Sequence, residues 1–387
     1  YQTPRADSLA AKLRRVAQDC KVAAAGEVLI GNEDLQACWT ALKEQAKEIK
    51  PGNLRLAYKG LCLVRERLGG ESGKFSAVLS ATAFMALPKD DAQTISLDQL
   101  FNVVMQYAAV EQARFKLALF DTLGSGSLTR DQLEAYIQDT AFEMEQLRAI
   151  ARGFRSTYVV FAASRFLFYL GRDHPNEAIE ISALVESKVL AEYQQMQQPD
   201  LSTVALQDNW FSLSNVTTVH TQYTALDVNQ DGLLSLDELQ HLNGGSMSPA
   251  LLRRLFQEYA TYEGGVDYRL YLRLVLARRD PNHPASVRFF FRLLDVDQRG
   301  YLTTTALLYF WRAMEAHPLT RDLELPRFED VKNEIFDMVA PKDPYKITVQ
   351  DLLACNCGGT VVSILTDVDG FFAYEHRESP PPSDGED

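Results

Sequence analysis

The chain has 387 residues, 39 Lys plus Arg against 52 Asp plus Glu, a net charge of −13, 46% hydrophobic residues and 24% charged ones. Such a composition supports a sizeable packed core and excludes a largely disordered chain, while the length suits about two to three domains. The acidity disfavours non-specific binding to nucleic acid or an anionic membrane, so neither is expected as a partner.

Helical periodicity dominates the chain, and long alternating β-branched runs are absent. Val216, Val219, Tyr223 and Leu226 recur on one helical face, and Phe328, Val331, Ile335 and Met338 repeat the spacing. Asn243-Gly244-Gly245 reads as a helix stop, and Ser248-Pro249 as an N-cap and first helical residue. The fold class is therefore all-α, with any sheet confined to short bridges. In chain order, residues 1–75 read as an N-terminal helical region ending at Gly69-Gly70-Glu71-Ser72-Gly73. Residues 76–198 read as a second helical domain, with a linker from Gln194 to Asp200, and 201–378 as a third. The acidic, Pro-rich stretch 379–387 reads as a disordered tail. The longest strongly apolar stretch, Tyr158 to Leu170, is interrupted by Arg165 and is too short to span a bilayer. The chain opens on Tyr1 rather than Met, which leaves room for a targeting signal ahead of it.

Five cysteines in so long a chain fit a reducing compartment. Cys355-Asn356-Cys357 has no second cysteine pair nearby and reads as unreactive thiols. The six histidines form no metal-binding pair, and no nucleophile elbow, phosphate loop, kinase signature or metallophosphatase ligand set is present. Lone residues such as His174 and His220 read as surface or core. No catalytic residue is expected.

One stretch carries metal chemistry. Residues 227–238, Asp-Val-Asn-Gln-Asp-Gly-Leu-Leu-Ser-Leu-Asp-Glu, satisfy the EF-hand pattern at every specified position and lie between periodic helices. Ca²⁺ is a hard cation that takes about six to eight oxygens. Asp227, Asn229 and Asp231 offer side-chain oxygens, Leu233 its carbonyl, Ser235 a hydroxyl or bridging water, and Glu238 a bidentate carboxylate. Gly232 permits the sharp turn. Three carboxylates gathered in one loop repel one another, which favours uptake of the ion.

Degenerate loops share the frame. Residues 295–306 keep Asp295, Asp297, Gly300 and Leu302 but place Arg299 at position 5 and Ala306 at position 12, so metal is not expected there. Residues 121–132 keep Asp121, Ser125, Gly126 and Leu128 and end in Gln132. Ile95, Ile179, Val266 and Ile347 mark further loops that keep only the apolar eighth residue. That residue pairs loops through a short antiparallel bridge, with Ile95/Leu128, Leu234/Val266 and Leu302/Ile347 as expected partners. The architecture is thus a tandem series of EF-hand-like helix–loop–helix repeats, mostly structural.

Three segments carry a resemblance: Asn209-Trp210-Phe211-Ser212, Val331 to Val339 with Pro341-Lys342-Asp343-Pro344, and Asp367 to Gly370 with Phe371. Over about Leu9 to Glu378 the chain resembles the B'' regulatory subunits of protein phosphatase 2A, especially the gamma-type branch that includes the plant Tonneau/Fass proteins. The resemblance implies a non-catalytic protein that binds the phosphatase scaffold and catalytic subunits. It further implies a cytoplasmic, cytoskeletal placement at centrosomes, cilia or cortical microtubules, with microtubule-associated or axonemal proteins as further partners. It also makes 227–238 the family's calcium loop. The alternative is a structural EF-hand adaptor of an axonemal or microtubule assembly without bound phosphatase. Trp210, Phe211, Phe336 and Phe371 read as core in preference to contact residues.

Overall fold

The structure, a computed structural model, describes residues 29–50, 53–171, 178–198 and 201–377, with Val16, Cys20 and Ala24 described singly. His174, Pro199, Asp200 and the tail 379–387 lie outside the described residues. The chain divides into two compact units, Tyr1–Ala141 with Leu170–Ala191, and Phe142–Tyr169 with Glu192–Asp387. Residues Gln194 to Gln198, where a linker is expected, belong to the second unit, and Gly69 to Gly73 lie inside the first.

In the first unit, helices Asn32–Gln45 and Tyr58–Arg67 flank an antiparallel hairpin, Lys47–Lys50 with Asn53–Leu56. A third strand, Ile95–Ser96, pairs with the second, so that the sheet follows chain order. Helix Leu97–Ala118 follows at once, its N-cap Ser96 accepting from the Gln99 N–H. Its buried face, Leu97, Leu100, Val104 and Ala108, joins Leu42, Leu56, Leu61 and Val64 in one apolar cluster. Arg55 locks the sheet, bonding the Asp90 carboxylate at 3.1 Å and the Thr94 carbonyl at 2.8 Å.

One expected pairing is overturned here. Leu128 pairs with Ile179, and Ile95 pairs with Leu56, so Ile95 and Leu128 are not partners. The strand Asn53–Leu56 carries no loop motif, yet it offers an edge to Ile95, and the loop around Ile179 then completes the pair with Leu128. The other two expectations hold: Leu234 bridges Val266, and Leu302 pairs with Ile347.

The second unit consists of successive helix–loop–helix pairs. Helices Leu213–Leu226 and Leu236–Leu239 flank the complete loop, and Pro249–Glu258 with Tyr268–Arg279 flank its partner. Pro284–Leu294 with Thr304–Glu315, then Phe328–Val339 with Val349–Ala354, form the next pair of hands. Ser248 caps its helix from the expected position, and Asn243, Gly244 and Gly245 take left-handed conformations that end the preceding turn.

Within the segments that carry the family resemblance, the aromatic residues are buried or half-buried. Trp210 is fully buried, stacked on Phe161 at 4.3 Å, with the Arg279 and Arg165 guanidinium groups near its ring. Phe211 and Phe371 are buried and Phe336 is half-buried. Asp367 caps helix Val368–Glu375 and pairs with Arg278 at 2.8 Å. Gly370 lets that helix approach its neighbour, since a Cβ there would stand 2.8 Å from the Ser363 Cβ. The Cys355 and Cys357 thiols donate to the Leu352 and Met338 carbonyls, and burial pushes the Cys357 thiol up to about 11. Among the described residues, no helix is long and apolar enough to cross a membrane.

Candidate metal centre

Helix Leu213–Leu226 starts at the Ser212 cap, buries Val216, Val219 and Tyr223, and delivers Asp227 into the loop through a 3.1 Å bond from its N–H to the Tyr223 carbonyl. The exit helix begins with a capping box in which Ser235 and Glu238 satisfy each other's N–H groups. Between them the chain turns through left-handed Gln230 (φ 57°) and Gly232 (φ 82°). A Cβ on Gly232 would meet nothing within 4 Å, so conformation, not space, calls for glycine at this turn.

The side chains arrange themselves around that turn. Asp227 accepts the Gly232 N–H through Oδ2 at 2.9 Å. Asp231 accepts the Leu233 N–H at 2.7 Å and the Asn229 amide at 2.9 Å. Asn229 Oδ1 accepts from the Asp231 N–H at 3.1 Å. Glu238 reaches back across the loop: one oxygen accepts the Val228 N–H at 2.9 Å, the other the Ser235 N–H at 2.9 Å and hydroxyl at 2.7 Å. Bonds from the Ser235 N–H and hydroxyl, ahead of those from Val228 and Asn229, hold the Glu238 carboxyl below the usual carboxylate range. By linkage, the stability these bonds contribute is present above the ordinary Glu pKa and is lost as pH falls through the depressed value.

The six expected ligand residues are therefore brought into one closed loop. Among the described residues, no three His, Cys, Asp or Glu side chains stand together as a finished metal cage. The carboxylates of this loop are instead turned onto backbone N–H groups. One atom breaks that pattern. Asp227 is 8% exposed, and its Oδ1 is buried without a hydrogen-bond partner. A buried carboxylate oxygen left unpaired is costly, and a cation in the loop would satisfy it.

The degenerate loops lack this orphan. Asp295 spends one oxygen on the Arg299 N–H at 3.0 Å and the other on the Gly300 N–H at 2.7 Å. The Arg299 guanidinium stands 3.6 Å from Asp297, in an exposed ion pair. Asp121 likewise accepts from the Ser125 N–H at 3.0 Å and the Gly126 N–H at 2.7 Å. In the loop around Ile347, the position-12 carboxylate of Asp351 is held low by the Thr348 hydroxyl first, with the Lys342 N–H and charge among the lesser causes. Of these acidic loops, 227–238 alone leaves an aspartate oxygen buried and unpaired.

Sequence reasoning passes over the hydroxyl of Tyr223, which donates to the Gly232 carbonyl at 2.7 Å. The available signal is a tyrosine one turn before the loop, where the other two acidic loops have Phe291 and Leu117. His220 packs edge-on to Phe154 and Tyr268 in an aromatic cluster, and burial there lowers its pKa.

Fold and loops together define an all-α protein of tandem EF-hand-like helix–loop–helix repeats. No family model matches the chain. It is 36% identical over 381 residues to the gamma-type B'' regulatory subunit of serine/threonine-protein phosphatase 2A from Danio rerio, covering 98% of this chain and 82% of the relative. The Homo sapiens protein of the same name is 35% identical over 389 residues, covering 100% of this chain and 85% of the relative. The Arabidopsis thaliana relative TON2, a probable B'' regulatory subunit of the same phosphatase, is 29% identical over 390 residues, covering 97% and 81%. The chain belongs to the B'' family of protein phosphatase 2A regulatory subunits. A solved chain described as a PP2A PR70 holoenzyme and labelled diCa shares the fold, with a TM-score of 0.61 at 22% identity over 67% of this chain and 97% of that one.

Proposed function

We propose that the chain is a non-catalytic regulatory subunit that binds the scaffold and catalytic subunits of protein phosphatase 2A and directs the trimer to its substrates. Likeness along the whole chain to relatives named as gamma-type B'' regulatory subunits carries the reading. Further support comes from the PR70 neighbour, which is described as part of a holoenzyme. The proposal places the complex in the cytoplasm at microtubule-organising, centrosomal or ciliary structures. Mass spectrometry of proteins co-purifying with the tagged full chain tests it. Recovery of scaffold and catalytic subunits is the expected result; tubulin-associated partners alone would favour a structural adaptor and overturn it.

The proposal also gives the chain one resident Ca²⁺, held by Asp227, Asn229, Asp231, the Leu233 carbonyl, Ser235 and Glu238. The ion would neutralise three clustered carboxylates, satisfy Asp227 Oδ1 and clamp the flanking helices. The rest is done by the chain's own residues: Gly232 makes the turn, Leu234 and Val266 exchange 2.8 Å backbone bonds, and Glu238 closes the loop onto Ser235. Calorimetric titration should count one ion per chain, with a dissociation constant of roughly 10⁻⁷–10⁻⁵ M or weaker. Asp295→Ala should leave that count unchanged, since both Asp295 oxygens are already taken by N–H groups and Ala306 offers no carboxylate at position 12; a second ion lost in this variant would contradict the assignment.

A further inference from the structure

We propose that Tyr223 is a positioning residue for the ion and sets the loop's preference for Ca²⁺ over Mg²⁺, an inference that rests on metal binding at 227–238. Tyr223 is 5% exposed and sits in the last turn of the entering helix. Its hydroxyl donates to the Gly232 carbonyl at 2.7 Å, with the Val266 carbonyl of the partner loop 3.4 Å away. Its ring packs on Tyr268 and Tyr271, with centroids 5.0 and 5.1 Å away, so the hydroxyl is aimed by a fixed aromatic cluster.

The consequence falls on Gly232. Nothing near its Cα restrains it sterically, yet both of its backbone polar groups are held: the N–H by Asp227 at 2.9 Å and the carbonyl by Tyr223 at 2.7 Å. That carbonyl belongs to the peptide linking Gly232 to Leu233. The 2.7 Å bond from the Leu233 N–H to Asp231 fixes the same plane from its other edge, and the 2.8 Å bond from the Leu234 N–H to the Val266 carbonyl restrains the next plane, which carries the Leu233 carbonyl, the backbone ligand of the loop.

A loop pinned at this point resists contraction. Ca²⁺ accepts ligands at about 2.3–2.6 Å in flexible geometry, whereas Mg²⁺ demands near-octahedral geometry at about 2.0–2.1 Å. Holding the turn open therefore favours the larger ion. The frame supports the assignment independently. At the residue four before the first ligand position, the complete loop has Tyr223, while the two degenerate acidic loops have Leu117 and Phe291, which carry no hydroxyl.

The test is calorimetric titration of the full chain with CaCl₂ and with MgCl₂, for the parent, Tyr223→Phe, Tyr268→Phe and Glu238→Gln, each checked for folding by circular dichroism. Tyr268 is the control because its hydroxyl has no hydrogen-bond partner, so its loss removes a buried oxygen from the same cluster without touching the loop. Tyr223→Phe should weaken Ca²⁺ binding about fivefold, the worth of one net hydrogen bond, and weaken Mg²⁺ less, so that the ratio of the two constants narrows. Tyr268→Phe should leave both constants within about twofold, since no hydrogen bond is lost. Equal weakening of the two ions, no weakening by Tyr223→Phe, or the same loss in Tyr268→Phe would overturn the inference. A parent that binds no Ca²⁺, or keeps its binding in Glu238→Gln, would overturn the metal reading and this inference with it.

Discussion

Glu238→Gln should weaken Ca²⁺ binding by about 100-fold or more, each tenfold being about 1.4 kcal/mol. The substitution removes one of three ligand carboxylates, the one expected to chelate through both oxygens. It also disturbs the loop without metal. Glu238 accepts from the Val228 N–H through one oxygen and from the Ser235 N–H and hydroxyl through the other. A glutamine keeps a single acceptor and turns its NH₂ against one set of these donors. The fold should survive, because Leu234, Val266, Val216 and Leu239 remain buried and the Leu234–Val266 bridge is untouched. Calorimetry and circular dichroism read the two effects separately. A dissociation constant within about threefold of the parent would show that Glu238 is not a ligand.

Arg254→Ala should be strongly destabilising, costing about 3–5 kcal/mol. Arg254 is nearly buried, and its guanidinium donates to the Leu293 carbonyl at 3.1 Å, the Asp295 carbonyl at 3.3 Å, Gln257 at 2.9 Å and Glu258 at 2.6 Å. It thereby satisfies the last carbonyls of helix Pro284–Leu294 and holds the entry of the loop at 295–306. Both partners of its ion pair are 7% exposed, so truncating the arginine strands a buried carboxylate. Arg292 and Gln298 would shelter Glu258 only in part. The thermal unfolding midpoint of the second unit should fall by about 10 °C. Replacing both partners, Arg254→Leu with Glu258→Leu, should recover part of the loss, since the stranded charge is then gone. A double variant less stable than Arg254→Ala would show that Arg254 acts mainly by packing.

Much of this is legible in the chain and some is not, for physical reasons. The loop at 227–238 declares itself because each ligand type sits at a fixed local spacing, and the helices because apolar residues recur with the helical period. Pairing of loops is legible only where neighbours in sequence are partners, as with Leu234 and Val266. Ile95 misleads because its partner strand, Asn53–Leu56, belongs to a hairpin with no loop signature. Arg254 carries no sequence signal, because two of its acceptors are main-chain carbonyls about forty positions away, which no side-chain pattern announces. The Tyr223 hydroxyl is hidden for the same reason, its acceptor being a backbone oxygen. Trp210 and Phe371 declare themselves as core because large aromatics seldom stay exposed.

The left-handed pairs Gly124/Gly126, Gln230/Gly232 and Gln298/Gly300, each tied to an aspartate at the head of its turn, appear alike in the acidic loops whether or not the ligands are complete. The skeleton of the turn is self-supporting, so ion dependence is a trait that a few side chains can add or erase while the architecture stays put. A hand of this kind can therefore act as a mineral or a purely proteinaceous joint on the same backbone.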